Sequence, residues 1–183
     1  MINIGLPKGN VLSKSKQLVE RITGKPVVAG RLSVEYENYR FFFLKHRDIP
    51  GLVEQGVLNY GITSDEWIAE TDARVIRFKE LDWCDTKIAL IEHKDASNKP
   101  RSCVTEFQNI ARKYLPKDVH IHYISGSSEA MVPFMFDCCI DCVESGATLV
   151  RNNLVIKDIL LSSKIVVIGG QVHNEDNLLK NIL

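Results

Sequence analysis

The chain has 183 residues, of which 45% are apolar, a content typical of a globular protein that buries a core in one domain or two small lobes. Acidic and basic residues balance at 23 each, so no overall charge would attract nucleic acid or an anionic membrane, and any anion site must be local. The first residues do not resemble a signal peptide and no apolar run approaches membrane-spanning length, so we expect a cytoplasmic protein.

Short apolar runs alternate with helical patterns in the first half of the chain, which predicts an α/β fold with largely parallel strands. The predicted strands of this half lie at 2–6, 32–36, 40–44 and 60–63. The predicted helices lie at 11–22, from 48 to about 55, and at 64–70, with Asp48 and Ser64 at the expected N-cap positions of the last two.

The second half continues the same alternation. Its predicted strands lie at 87–92, 120–124, 137–143 and 164–168, its helices at 106–115, from about 129, and at 175–183, and 156–161 is either helix or edge strand. The strands at 87–92 and 164–168 bracket a self-contained α/β block. We therefore expect lobe I at 1–86, lobe II at 87–169 and a return helix to lobe I at 170–183, with a ligand cleft between the lobes.

The segment 137–149 carries the strongest chemical signal, an apolar strand that runs into a small-residue loop with hydroxyls. Ser145-Gly146-Ala147-Thr148 offers two hydroxyls, a flexible glycine and backbone N–H groups before a predicted helix, which suits a phosphate. Asp141 and Glu144 could accept hydrogen bonds from ribose hydroxyls or hold magnesium, so the layout is that of a phosphosugar site. Alternatively, the loop is an ordinary turn, and Asp137 and Asp141 are solvated acids on the polar face of an edge strand.

Other chemistry-bearing side chains favour structural roles. Three of the five cysteines, Cys138, Cys139 and Cys142, lie in the apolar strand, where free thiols act as small hydrophobes; a zinc site there would lack a second ligand pair. His120 and His122 share a strand face without a third ligand. Aromatic residues that we assign to core or interface, with adenine stacking as an alternative for the tryptophans, are Trp67, Trp83 and Phe41-Phe42-Phe43.

Collinear motifs resemble the short-form catalytic subunit of ATP phosphoribosyltransferase almost from end to end. Leu6-Pro7-Lys8-Gly9 is similar to the family's Leu-Pro-Lys-Gly-Arg-Leu, and 48–57 to its Asp-Ile-Pro-x-x-Val-x-x-Gly-Val. Ser125-Gly126-Ser127-Ser128-Glu129 resembles Ser-Gly-Ser-Val-Glu, and 137–153 matches the family signature best. Tyr60-Gly61-Ile62 and Thr105-Glu106-Phe107 match as well.

The resemblance implies two lobes joined by two crossing strands, as in type II periplasmic binding proteins. It also implies a reaction that joins N1 of ATP to C1 of the ribose in phosphoribosyl pyrophosphate and releases pyrophosphate, the first step of histidine biosynthesis. Magnesium on the pyrophosphate is the implied cofactor. The implied assembly is a homodimer, with a regulatory subunit similar to histidyl-tRNA synthetase as a possible further partner.

The same resemblance assigns site residues position by position. The implied phosphoribosyl pyrophosphate site comprises Asp141, Glu144, Ser145, Gly146, Ala147 and Thr148. The implied catalytic cations are Lys45, Arg31 and Lys8, and the implied nucleotide contacts are Lys8, Gly9 and Lys87. No residue is assigned as a resident metal ligand.

Departures from the family pattern concentrate in the first lobe. Lys45 replaces an arginine three residues before the Asp-Ile-Pro helix, and keeps its charge without its bidentate fork. Further replacements are Asn10 for arginine, Asn59 for an acid, Ser64 for glycine, and Met135-Phe136 for Gly-Leu-Ala. Two alternatives therefore stay open: a phosphoribosyltransferase with another acceptor, or a two-lobed protein that binds a nucleotide or phosphosugar without chemistry.

Overall fold

The computed structural model describes residues 1–170, which form two compact units. Unit 1 consists of Met1–Cys84 and the described residues from Lys164 onward, and unit 2 consists of Asp85–Ser163. Both passages of the chain between the units lie inside long strands, which confirms the predicted class of two lobes joined by two strands. The helix predicted at 175–183 lies outside the described residues.

Unit 1 is an α/β unit with a mixed sheet. Its strands are β1 (Ile2–Pro7), β2 (Ser33–Tyr36), β3 (Tyr39–Leu44) and β4 (Tyr60–Ser64), and its helices are α1 (Leu12–Thr23), α2 (Ile49–Glu54) and α3 (Asp65–Thr71). The central strand β1 runs parallel to β3 and β4, and β2 pairs antiparallel with the outer side of β3. A last strand runs antiparallel to β4 through residues 165–169.

Alternation along β3 directs its side chains to two separate cores. Phe41 and Phe43 pack in the cluster that contains Leu18 of α1, whereas Phe42 packs against the cluster that contains Ile49 of α2. Helices α1 and α2, which follow β1 and β3, therefore cover opposite faces of the sheet. The neighbouring strands β1 and β3 are thus followed by helices on opposite faces of the sheet. Such a topological switch point is where α/β proteins usually bind ligands, at the carboxyl ends of the strands.

Unit 2 combines β-strands with two short α-helices. Its elements are β5 (Ile76–His93), β6 (Ser102–Thr105), α4 (Gln108–Tyr114), β7 (His120–Tyr123), β8 (Cys138–Val143) and α5 (Ala147–Arg151), and the long strand β9 (Leu154–Gly169) returns to unit 1. The strand order is β5-β8-β6-β7, with β6 parallel to β7 and β8, and β5 antiparallel to β8. Among residues 1–170, no helix is both long and apolar enough to cross a membrane.

Several local predictions differ from the structure. Residues 156–161 belong to β9, so the helical alternative for them is wrong, and β6 was not predicted. The helix expected from residue 129 is only a 3-10 turn, Ser128–Met131, and Pro133 lacks the N–H that a longer helix would need. Asp48 and Ser64 occupy the N-cap positions of α2 and α3, as predicted, but neither side chain makes a capping bond to its helix.

Candidate functional site

Asp141 is a carboxylate on the apolar face of an interior strand. Strand β8 lies between β5 and β6, and the alternate residues Cys139 and Val143 on the same face belong to a buried core cluster. The interpretation of Asp141 as a solvated acid on an edge strand is therefore wrong. A partly buried charge on such a face costs stability unless it has polar partners, and acids in such positions are candidates for function.

Two donors hold the Asp141 carboxylate. The Ser128 hydroxyl donates to Oδ2, and the backbone N–H of Cys142 donates to Oδ1 over 2.7 Å. Ser128 is only 1% exposed and comes from the 3-10 turn that precedes β8 in the chain. Because each carboxylate oxygen has its own donor, the orientation of the group is set by the protein.

Two further groups beside Asp141 are shifted toward their neutral forms. Burial, and secondly the negative charge of Asp141, raise the pKa of the half-buried Glu129 carboxyl. Burial also raises the pKa of the Cys139 thiol well above its ordinary value. Ser128 and Glu129 are not among the site residues predicted from the sequence, although both lie in the motif Ser125-Gly126-Ser127-Ser128-Glu129.

Glu144, Ser145 and Gly146 connect β8 to α5, and Ala147 and Thr148 are the first two residues of that helix. The core anchors this loop 144–148 at both ends. Buried residues flank it, Val143 before and Leu149 after, while its two hydroxyl-bearing residues are exposed. Gly146 has a φ of +72°, a conformation that favours glycine, and Ser145 Oγ accepts a 3.4 Å bond from the Ala147 N–H. The hydroxyl-bearing residues Ser145 and Thr148 are therefore exposed to solvent on a loop whose two ends are anchored in the core.

Lys87 lies beside the start of this loop. It pairs with Val143, the last residue of β8, and shares a sheet face with Asp141, because directly paired residues of antiparallel strands lie on one face. The structure thus brings Lys87 together with the predicted phosphosugar residues of unit 2. It does not place Lys87 in the same unit as Lys8 and Gly9, the other predicted nucleotide contacts.

Lys8, Gly9 and Lys45 lie together at the carboxyl ends of β1 and β3. The last residues of these parallel strands, Pro7 and Leu44, are paired, and the Lys8 N–H donates to the Leu44 carbonyl over 2.7 Å. Gly9 has a φ of +80°, which favours glycine at this turn. The two lysines therefore flank the switch point of the unit 1 sheet.

Arg31 approaches the same edge through its backbone. The Phe43 N–H donates to the Leu32 carbonyl over 3.0 Å, so the pairing of β2 with β3 continues past β2 and places Arg31 alongside the carboxyl end of β3. Arg31 also lines a groove of about 480 Å³ together with Lys25 and Tyr36. The three predicted catalytic cations thus lie at or near one sheet edge.

His46 helps to tie the basic segment 45–47 to the neighbouring elements. The Thr63 hydroxyl donates to the His46 carbonyl over 3.0 Å, and Ser64 Oγ lies 3.4 Å from the imidazole Nδ1. Burial lowers the pKa of His46 to about 4, so its ring is neutral at neutral pH. Arg47 stacks 5.8 Å from the centre of the Trp67 ring, a cation–π contact to α3.

Asn59, one of the departures from the family pattern, has a structural role. Its Oδ1 accepts a bond from the Asn3 N–H at 2.8 Å, and its own N–H donates to the Asn3 carbonyl at 2.9 Å. These contacts lie at the amino ends of β1 and β4, whereas Lys8 and Lys45 lie at the carboxyl edge. The change at Asn59 therefore lies at the strand ends opposite to those that carry Lys8 and Lys45.

No cluster that could hold a resident metal occurs within the described chain. In residues 1–170, no group of three or more His, Cys, Asp and Glu side chains is arranged for a metal ion. Cys138 and Cys139 are fully buried thiols, and Asp137 accepts bonds from the Arg101 and Ser102 N–H groups, so it anchors the start of β8. The described residues therefore give no support to the zinc alternative.

Comparison with known proteins identifies the family. Residues 45–183 match the family model described as HisG: ATP phosphoribosyltransferase. The chain is 29% identical to the ATP phosphoribosyltransferase of Brachyspira hyodysenteriae, over 100% of this chain and 97% of that protein. It is 30% identical to that of Campylobacter concisus, over 89% of this chain and 85% of that protein.

Solved structures agree on the fold. A chain of the HisG:HisZ ATP phosphoribosyltransferase complex from Thermotoga maritima matches with a TM-score of 0.86 at 22% identity, covering 100% of this chain and 94% of that chain. The periplasmic aliphatic sulphonate binding protein from Escherichia coli matches with a TM-score of 0.57 at 12% identity, covering 99% and 69%. The fold is thus similar to that of periplasmic binding proteins, as predicted, and the chain belongs to the ATP phosphoribosyltransferase (HisG) family.

Proposed function

We propose that this protein transfers the phosphoribosyl group of phosphoribosyl pyrophosphate to N1 of ATP and releases pyrophosphate, the first step of histidine biosynthesis. Membership of the family supports the reaction. The observation that carries the donor assignment is the Asp141 carboxylate, held by two donors beside a fixed loop that presents two hydroxyls. This layout suits a ribose that carries a phosphate.

In this proposal the residues of unit 2 bind the donor. The loop 144–148 surrounds the 5-phosphate with hydroxyl and backbone N–H groups, and Asp141 accepts hydrogen bonds from the ribose hydroxyls. Displacement at C1 passes through a cationic, sugar-like transition state, so the protein contributes mainly positioning and charge stabilisation. No covalent nucleophile is needed.

Magnesium enters with the donor. Magnesium is commonly held by one or two carboxylates together with substrate phosphates, and the described residues offer no cluster that would hold it alone. We therefore propose that oxygen atoms of the pyrophosphate group supply most of the ligands of the magnesium ion. When bound, the ion neutralises charge on the leaving pyrophosphate.

Lys45 and its neighbours at the carboxyl edge of unit 1 are proposed to act on phosphate groups. Lys45 takes the position that the family motif gives to an arginine, and a lysine there supplies a point charge to the leaving pyrophosphate without a bidentate contact. Lys8 and Arg31 supply further positive charge. Lys8, Gly9 and Lys87 are the proposed nucleotide contacts.

A different acceptor is the second candidate, and Ser64 is the observation that favours it. Where the family motif has glycine, Ser64 is 2% exposed and its hydroxyl lies against His46. The extra side chain fixes the segment that carries Lys45, at an edge where ligands bind. This difference from the family motif concerns the acceptor more than the ribose phosphate, whose proposed contacts lie in unit 2.

Assembly is proposed by similarity. The solved structure with a TM-score of 0.86 is a HisG:HisZ complex. We propose that this chain forms a homodimer and binds a regulatory subunit similar to histidyl-tRNA synthetase. A cytoplasmic location is part of the same proposal.

The test incubates the purified protein with magnesium, phosphoribosyl pyrophosphate and one nucleotide at a time, and identifies products by mass spectrometry. Each reaction is run with and without the regulatory subunit from the same organism. We expect the product phosphoribosyl-ATP, and we expect it only when donor, magnesium and ATP are all present. Product from another nucleotide alone would select the second candidate. No product from any nucleotide, together with no thermal stabilisation by the donor, would refute the proposal.

A further inference from the structure

Ser128 is a buried hydroxyl at a position where the similar family motif, Ser-Gly-Ser-Val-Glu, has an apolar residue. Its side chain is 1% exposed, and its hydroxyl donates to Asp141 Oδ2. A hydroxyl removed from water costs stability unless it is hydrogen-bonded, so this contact accounts for a polar group at a buried site. The contact joins the 3-10 turn Ser128–Met131 to the acid that we assign to the ribose.

We propose that Ser128 is a positioning residue that sets the orientation of the Asp141 carboxylate for the ribose hydroxyls of the donor. The inference rests on the proposed function, because it concerns the same donor site. It adds a residue that the family motif does not supply in this form.

The hydrogen-bonding capacity of a carboxylate is limited. An ionised carboxylate has two oxygens with about four lone-pair sites, and the protein uses at least one on each oxygen through Ser128 and the Cys142 N–H. The remaining sites point in directions that these two donors fix. Without the Ser128 hydroxyl, the Cys142 N–H on Oδ1 would be the remaining donor to this carboxylate within residues 1–170.

Neighbouring groups make this restraint more important. Glu129 follows Ser128 in the chain and lies close enough for the Asp141 charge to act on it. Any negative charge on Glu129 would repel Asp141, and the Ser128 bond holds the Asp141 side chain against that repulsion. Val132 and Cys139 pack in one core cluster, which keeps the turn and β8 in place, so the loss of one hydroxyl should leave the backbone unchanged.

Calorimetric titration with magnesium phosphoribosyl pyrophosphate tests the proposal on wild type, Ser128→Ala, Ser128→Val and Ser128→Thr. Removal of the hydroxyl by Ala or Val should raise the donor Kd roughly fivefold to thirtyfold, the effect of one hydrogen bond to a charged group. Threonine keeps the hydroxyl and should restore most of the affinity. The KM for ATP should stay within about twofold in all variants that fold like wild type.

A double-mutant cycle separates positioning from simple packing. If Ser128 acts through Asp141, then Ser128→Ala should have little effect on donor Kd in an Asp141→Asn background. Equal donor affinity of wild type and Ser128→Ala, or the same fold-loss in both backgrounds, would overturn this inference alone. Failure of wild type to bind the donor would overturn the proposed function, and the inference with it.

Discussion

Acidification should destabilise the folded protein through His46. Burial lowers the pKa of this imidazole from 6.5 to about 4. The unfolded chain therefore takes up a proton as the pH falls below 6.5, whereas the folded chain keeps the ring neutral until about pH 4. The free energy of unfolding should thus be unaffected by His46 above the ordinary pKa, and should fall between pH 6.5 and about 4.

The size of this loss follows from the shift. Each pKa unit corresponds to about 1.4 kcal/mol, and linkage gives a loss of about 2.5 kcal/mol between about pH 7.5 and about pH 4.5. His46 keeps part of its surface in contact with solvent, which reduces the expected loss to about 2 kcal/mol.

Urea unfolding across this pH range measures the effect in wild type, His46→Gln and the control His120→Gln. His120 lies exposed on β7, so the control replaces a histidine that is not part of the buried core. The stability difference between wild type and His46→Gln should fall by about 2 kcal/mol on acidification, while groups common to both proteins, such as Glu129, cancel. A constant difference would show that burial does not control the titration of His46.

Three further predictions concern the donor loop, the basic edge and the core. Thr148→Ala should weaken donor binding by about 1–3 kcal/mol because a phosphate oxygen loses its donor, whereas Ser97→Ala, in an exposed loop, should leave donor Kd unchanged in calorimetry. Lys45→Ala should lower kcat far more than donor affinity, and the control Lys45→Arg should retain activity. Equal losses in kcat and donor affinity for Lys45→Ala would mean that the lysine contributes only to binding. Gly61→Ala should destabilise the protein by about 1–3 kcal/mol in urea unfolding, since the added Cβ would overlap Ile49 Cγ2; unchanged stability would show that α2 can shift away.

Much of the fold could be predicted from the sequence because local patterns agree with it. Apolar alternation placed β1, β3 and β4 within one or two residues, and the helical spacing before Gly24 placed α1, which ends where Gly24 adopts a φ of +67°. The prediction failed where tertiary contacts decide. The mostly exposed strand residues at 76–86 and the exposed residues at 155–159 carry little periodic signal, yet pairing with neighbouring strands extends β5 and β9 through them.

The donor loop was also predictable, since its hydroxyls, its glycine and the preceding acid are contiguous in the sequence. Only the tertiary structure decided that Asp141 lies on the apolar face of an interior strand, and that Ser128, 13 residues earlier, donates to it. The same is true of Asn59, which the sequence marked as a departure in the site and the structure places at the opposite strand end. Chain order and residue type determine local chemistry, whereas which groups meet depends on strand order and register, and these are fixed by packing over the whole fold.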